Sequence, residues 1–144
     1  MSVAERLARV LDVSSPRLAA FADAEVSAKL PGRWSKKEIL GHLIDSASNN
    51  HQRFVRALLD SRIDFPEYKQ DGWVAAQRYA AEPWDTLVNL WLYLNRHLVH
   101  LMHAIPVSAR EHTIAIGGKE PVTLGFVMEG YLDHLEHHLD QILS

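Results

Sequence analysis

The chain has 144 residues, a formal net charge of −3, nine histidines and no cysteine. Hydrophobic residues make up 47% and charged residues 23%, the balance of a folded globular protein, and the lack of cysteine excludes disulfides, thiolate metal sites and a cysteine nucleophile. The mildly acidic charge argues against a generic nucleic-acid binder, and no apolar run approaches the roughly 18 residues of a membrane span. With no apolar leader after Met1, the expectation is a cytoplasmic protein of one domain over residues 1–144.

Residues 2–30 are rich in Ala, Leu and Arg. Ser14-Ser15-Pro16 interrupts them, so the segment reads as one kinked helix or two short ones, ended by Pro31-Gly32. The second helix has the clearest start signal. Ser35 with Glu38 forms a capping box, and Trp34 with Ile39 has the spacing of a hydrophobic staple. It runs to about Leu59, and residues 60–70 read as a loop containing Phe65-Pro66. Asp71-Gly72-Trp73 opens a short helix to about Tyr79, broken by Glu82-Pro83. A long helix over residues 84–105 follows, ended by Pro106. Residues 107–121, with Gly117-Gly118 and Pro121, form the main irregular segment, in which Thr113-Ile114-Ala115-Ile116 could be extended. The last helix covers residues 123–143, with Thr123 as its cap. Four long helices predict an all-α four-helix bundle, with an extra short helix between the second and third long ones.

Helical periodicity sorts the histidines. With Leu124 at 0°, the apolar stripe of the last helix lies between about 340° and 80°, His138 near 320°, His134 near 280° and His137 near 220°. His134 and His138 therefore flank the core as an i, i+4 pair, and His137 faces solvent. Such a pair brings two imidazoles about 5–6 Å apart at Cβ, close enough to share one ion. The run His134-Leu135-Glu136-His137-His138 has Leu where the zinc-protease helix has Glu, so that motif is not met, and the spacing alone is a weak signal. On the third long helix His97, His100 and His103 march around the outer face, and Asn95 falls inside the apolar stripe, read as a satisfied buried amide with a pocket residue as the alternative. On the second helix the periodicity selects His51, at the edge of the apolar stripe, as the buried histidine. His42, Ser46, Asn49 and Arg53 share a polar stripe that composition alone reads as a solvated face, the alternative being the wall of a polar cavity.

Two of these stretches resemble a known family. Trp34-Ser35-Lys36-Lys37-Glu38-Ile39-Leu40-Gly41-His42-Leu43-Ile44-Asp45-Ser46, continuing to Asn49 and Arg53-Phe54, is similar to the second-helix signature of the DinB/YfiT-like superfamily. His134-Leu135-Glu136-His137-His138-Leu139-Asp140-Gln141-Ile142 is similar to its last-helix signature. Their order and separation, with Asp71-Gly72-Trp73 between them, extend the resemblance over nearly the whole chain. It implies a four-helix bundle, a homodimer, and one divalent metal ion, zinc or nickel, held by His42, His134 and His138. His42 is thus chosen over His51 by the family pattern and not by the helix periodicity. The resemblance also implies either a metal-dependent hydrolase or a transferase or isomerase that uses a low-molecular-weight thiol.

Three neutral histidines leave a divalent ion its full charge and an open position, the arrangement of a catalytic rather than a closed structural site. On that reading Ser46, Asn49, Arg53 and Tyr131 lie near a pocket for a small molecule. Arg53 could hold a carboxylate of the ligand, or form only a surface salt bridge. Asp45 could orient a ligand histidine, or be an exposed helix residue. The alternatives to an enzyme are a non-enzymatic metal-binding or stress-linked interaction module, and a structural bundle without a metal.

Overall fold

The computed structural model describes residues 1–144. Its long helices are α1 (Val3–Ala19), α3 (Lys36–Leu59), α5 (Trp84–Ala104) and α6 (Leu124–Leu143), with the short helices α2 (Asp23–Ser27) and α4 (Gln70–Gln77) in the connections. Helix α1 packs chiefly on α5 and α6, and α3 packs on the same two. The first two long helices therefore lie diagonally across the bundle, with α5 and α6 completing it. No helix is long and apolar enough to cross a membrane.

The start signals act as the sequence predicts. The Ser35 hydroxyl accepts from the Glu38 amide at 3.2 Å, and the Glu38 carboxylate accepts from the Ser35 amide at 3.0 Å. Ser2 and Glu5 form the same box on α1, and Thr123 Oγ1 accepts from the Phe126 amide at 3.1 Å on α6. These bonds satisfy amides that have no partner within the helix. Helix α5 begins behind Pro83, and its first residue, Trp84, donates its indole N–H to the Leu18 carbonyl at 2.7 Å, closing the C-terminal end of α1.

Three differences from the sequence reading have local causes. Helix α1 continues through Pro16 and ends at Ala19, so the break before α2 falls at residues 20–22. Proline removes the bond to the Asp12 carbonyl, one turn back on an exposed part of the helix where water can replace it. The loop at residues 60–70 contains a strand, β1 (Arg62–Phe65), which pairs in parallel with β2 (Thr113–Ile116), the extended piece expected from sequence. A third strand, β3 (Val122–Thr123), pairs antiparallel with β2 and runs straight into α6. β1 is too short for its alternation to register as a strand on its own. The small sheet covers one end of α3 and supplies part of a cavity wall described below.

The core joins 31 buried apolar residues from every long helix, with Trp91, Phe54 and Met128 among the largest fully buried ones. Helix α3 differs from the others in being buried around most of residues 40–50, including His42, Asp45, Ser46, Asn49 and Asn50. Gly41 permits this on one side. A Cβ there would stand 2.2 Å from the Tyr79 ring, which packs directly on the helix backbone. Gly41→Ala is therefore expected to destabilise the protein by about 1–3 kcal/mol through overpacking, despite alanine's better helix propensity. Urea unfolding of the purified variant measures the loss, and a neutral or stabilising result would contradict this packing.

Candidate metal centre

Helix α3 places His42 in the bundle interior, where its side chain is fully buried, and α6 presents His134 and His138 to it one turn apart. The His42 and His134 Nε2 atoms are 3.1 Å apart. The ring centroids stand 5.0 Å from His42 to His134, 4.9 Å from His42 to His138 and 4.5 Å from His134 to His138. One nitrogen from each of the three lies within 4.8 Å of the others. Two imidazole nitrogens on one tetrahedral zinc, each about 2.0–2.1 Å from it, stand about 3.3 Å apart, a separation that His42 and His134 already approach. The exposed ring of His137 and the outer-face rings of His97, His100 and His103 take no part.

Neighbouring groups orient the cluster. Gln141 Oε1, an acceptor, lies 2.8 Å from His138 Nδ1, so Nδ1 carries the proton and Nε2 keeps its lone pair. Its spacing from His138, i and i+3 on one helix, was a signal available in the sequence. The Trp34 ring tilts over His42 at 5.0 Å, so the staple residue also shields the centre. Asp45, by contrast, does not orient a histidine. Its Oδ1 accepts from the Tyr79 hydroxyl at 2.7 Å and the Gln77 amide at 2.8 Å. Burial pushes its carboxyl above the ordinary value, against those two bonds. His42 Nδ1 and Asp45 Oδ2 are both buried without a partner.

The periodicity that selected His51 is corrected here. His51 is half-buried, its ring tilted against that of His97 at 5.3 Å, whereas His42 is fully buried. A single apolar stripe cannot describe a helix enclosed on most sides, and the polar stripe of His42, Ser46, Asn49 and Arg53 is not a solvated face. Asn95 is the satisfied buried amide expected, donating to the Trp91 carbonyl at 2.9 Å and accepting from the Tyr131 hydroxyl at 2.5 Å.

A cavity of about 460 Å³ opens beside the cluster, with His134, Ser46, Arg53 and Tyr131 in its wall. Asn49 is not there. Its amide turns back to the Asp45 carbonyl at 2.9 Å, and Asn50, one residue on and a helical turn beyond Ser46, lines the cavity instead. The sheet side contributes Tyr68 and Ile116, which periodicity along the helices could not reveal. The size lies within the roughly 300–1,000 Å³ typical of small-molecule sites.

Burial, then the neighbouring histidines, lowers His42 and His134 from 6.5 to about 4, so both rings are neutral at pH 7 and offer lone pairs. The unfolded chain takes up these protons near pH 6.5, and the folded one resists doing so until about pH 4. The metal-free protein is thus expected to lose stability as pH falls through that window. Denaturant titrations of the chelated protein at several pH values measure it, and the slope should be shallower in the His42→Gln/His134→Gln double variant.

The superfamily profile described as DinB superfamily matches residues 6–142. Proteins of Bacillus cereus strain B4264 and of Bacillus anthracis strain CDC 684, each named only as a candidate metal-dependent hydrolase, are 25% identical over 113 residues. Those matches span 78% of this chain and 65% of the relatives, just under two thirds of their length. Among solved structures, YfiT from Bacillus subtilis, described as a metal-dependent hydrolase by inference and as having an unusual four-helix-bundle topology, superposes with a TM-score of 0.83 at 19% identity. That match covers 96% of this chain and 83% of YfiT. A mycothiol-dependent maleylpyruvate isomerase superposes with a TM-score of 0.75 at 17% identity, covering 99% of this chain and 61% of the isomerase. With the bundle, the cluster and the profile over nearly all its length in agreement, the chain belongs to the DinB superfamily.

Proposed function

We propose that the protein binds one divalent metal ion, zinc or nickel, through His42, His134 and His138, and that it works as a metal-dependent hydrolase or a low-molecular-weight-thiol S-transferase. The observation that carries this reading is the convergence of three imidazoles, two of them held neutral by burial, one of which, His134, also lines a cavity of small-molecule size. The name borne by the Bacillus relatives supports the hydrolase, and the mycothiol dependence of the isomerase with the same fold supports the thiol. A homodimer belongs to the same reading, on the family resemblance.

A divalent ion bound by three neutral ligands and open at one position lowers the pKa of a water or thiol. The protein's own contribution is positional. Gln141 fixes the His138 tautomer, Trp34 covers the far side of His42, and His134 turns the cluster towards the cavity. Tyr131 is no proton donor at neutral pH. Its hydroxyl is committed to Asn95, and burial holds it well above the ordinary tyrosine value. The cavity shared with His134 favours an enzyme over a metal-binding module without turnover, for which no such opening is needed.

Elemental mass spectrometry of the untagged protein tests the centre. About one equivalent of metal is expected in the wild type, lost in His42→Ala and His134→Ala while circular dichroism stays helical. Resupplying the chelated protein with zinc at about a hundred times its dissociation constant should raise the unfolding free energy by about 2.7 kcal/mol. No metal in the wild type after reconstitution would overturn the reading.

A further inference from the structure

We propose that the cavity beside the histidine cluster takes an elongated organic monoanion, a carboxylate on an apolar chain, and that Arg53 holds the carboxylate. This rests on the reading above in taking the histidine cluster as the reactive end of the same cavity.

Arg53 is a cation without a counter-ion. No carboxylate pairs with it, although six ion pairs form elsewhere in the protein. Its Nε is buried with no partner, its Nη1 reaches only Asn50 Oδ1 at 3.5 Å, and its guanidinium lies over the Phe65 ring at 5.1 Å. Burial pulls its pKa below the ordinary arginine value, against the nearby Tyr68 and Glu67. Arg53 is half-buried, with its Nε shut off from water and no ion pair to match its charge, an arrangement that leaves hydrogen-bonding capacity for a ligand at the cavity wall. The planar fork of a guanidinium lying in a cavity wall matches a carboxylate through two parallel hydrogen bonds.

The surroundings set the ligand's charge and length. Glu67, also in the wall, makes its ion pair with Lys119 at 2.5 Å and none with Arg53, although its charge still acts on the guanidinium from a distance. One positive charge beside a carboxylate suits a monoanion better than a dianion. Ser46, Asn50 and Arg53 follow one another along the same face of α3 from His42, and the helical rise puts Arg53 about 16 Å along the axis from His42. Side chains lean back towards the helix N-terminus, which shortens that span, yet an anion at Arg53 still stands several bonds from the histidines. Ile116, Val122, Phe126 and Val127 line the space and suit an apolar chain.

The test uses the untagged whole chain loaded with zinc, with hexanoate, hexanamide and hexyl phosphate as probes. Binding is read by calorimetric titration and by the NMR shift of the Arg53 Nε–H. Hexanoate is expected to move that resonance and to bind at least about tenfold more tightly than the amide. Arg53→Gln should lose at least about tenfold in hexanoate affinity while keeping its zinc and melting no lower than the wild type. His138→Ala, a residue outside the cavity wall, should lose zinc yet keep hexanoate affinity within about threefold. Hexanoate binding in a wild type that takes up no zinc would likewise support the anion site while sinking the metal reading. Equal affinity for the amide, tighter binding of hexyl phosphate, or unchanged hexanoate affinity in Arg53→Gln would overturn the proposal. So would loss of hexanoate binding together with zinc in His138→Ala, which would put the carboxylate on the metal. A melting temperature several degrees lower in Arg53→Gln would assign the residue to the fold instead.

Discussion

Helix α3 is enclosed around most of residues 40–50, so polar side chains that would ordinarily face water must find partners inside the protein. The remaining architecture answers to that constraint. Asn49 and Asn50 turn back onto carbonyls of their own helix, Asp45 is met by Tyr79 and Gln77, and Lys37 is clipped to Asp23 at 3.3 Å. The short helices α2 and α4 and the turn carrying Tyr79 thus cover α3, and the Tyr79 ring approaches so closely that only glycine fits at position 41. A helix covered in this way can hold a histidine in a dry interior without being a purely apolar core element.

The same enclosure governs the chemistry. Burial favours neutral imidazoles, and neutral imidazoles bind metals. His42 comes from one helix and His134 with His138 from another, so their approach depends on α3 packing against α6 in one register. Capping bonds at Ser35 and Thr123 fix where the two helices begin, and with it which turn of each faces the other. Farther along α3 the enclosure opens into the cavity. There Arg53 is half-buried without an ion-pair partner, its Nε unbonded, in contrast to Arg6, whose guanidinium meets Glu129, Asp133 and Glu136 at the surface.

Much of this was readable before the fold was known. Capping signals and prolines placed α3, α5 and α6 to within a residue or two, because these signals act over three or four residues of chain, whereas Pro16 misplaced the end of α1. The i, i+4 pair on α6 was equally local, since that helix has one buried stripe and one exposed face. His42 was not readable that way. The periodicity argument assumes a helix with one dry side and one wet side, and it chose His51; only the family signature pointed to His42. Asn50 was missed for Asn49 for a related reason, since the two lie on either side of a stripe that the neighbouring elements, and not the helix, define. The sheet escaped notice because its longest strands hold only four residues each and its parallel pair is far apart in sequence.

The sequence by itself determined the starts of the long helices, the stops of α3, α5 and α6, the absence of any cysteine of the chain's own and the outward or inward bias of most histidines, because each of these follows from composition or from interactions within a few residues. Only the tertiary structure decided that α1 and α3 lie diagonally across the bundle, that a polar stripe becomes an interior wall, and that Asp45 serves Tyr79 instead of a histidine. It also decided that Arg53 is left unpaired. These features depend on which surfaces distant segments cover, and covering is a property of the assembled fold: the same side chain is solvated, satisfied or stranded according to what packs over it.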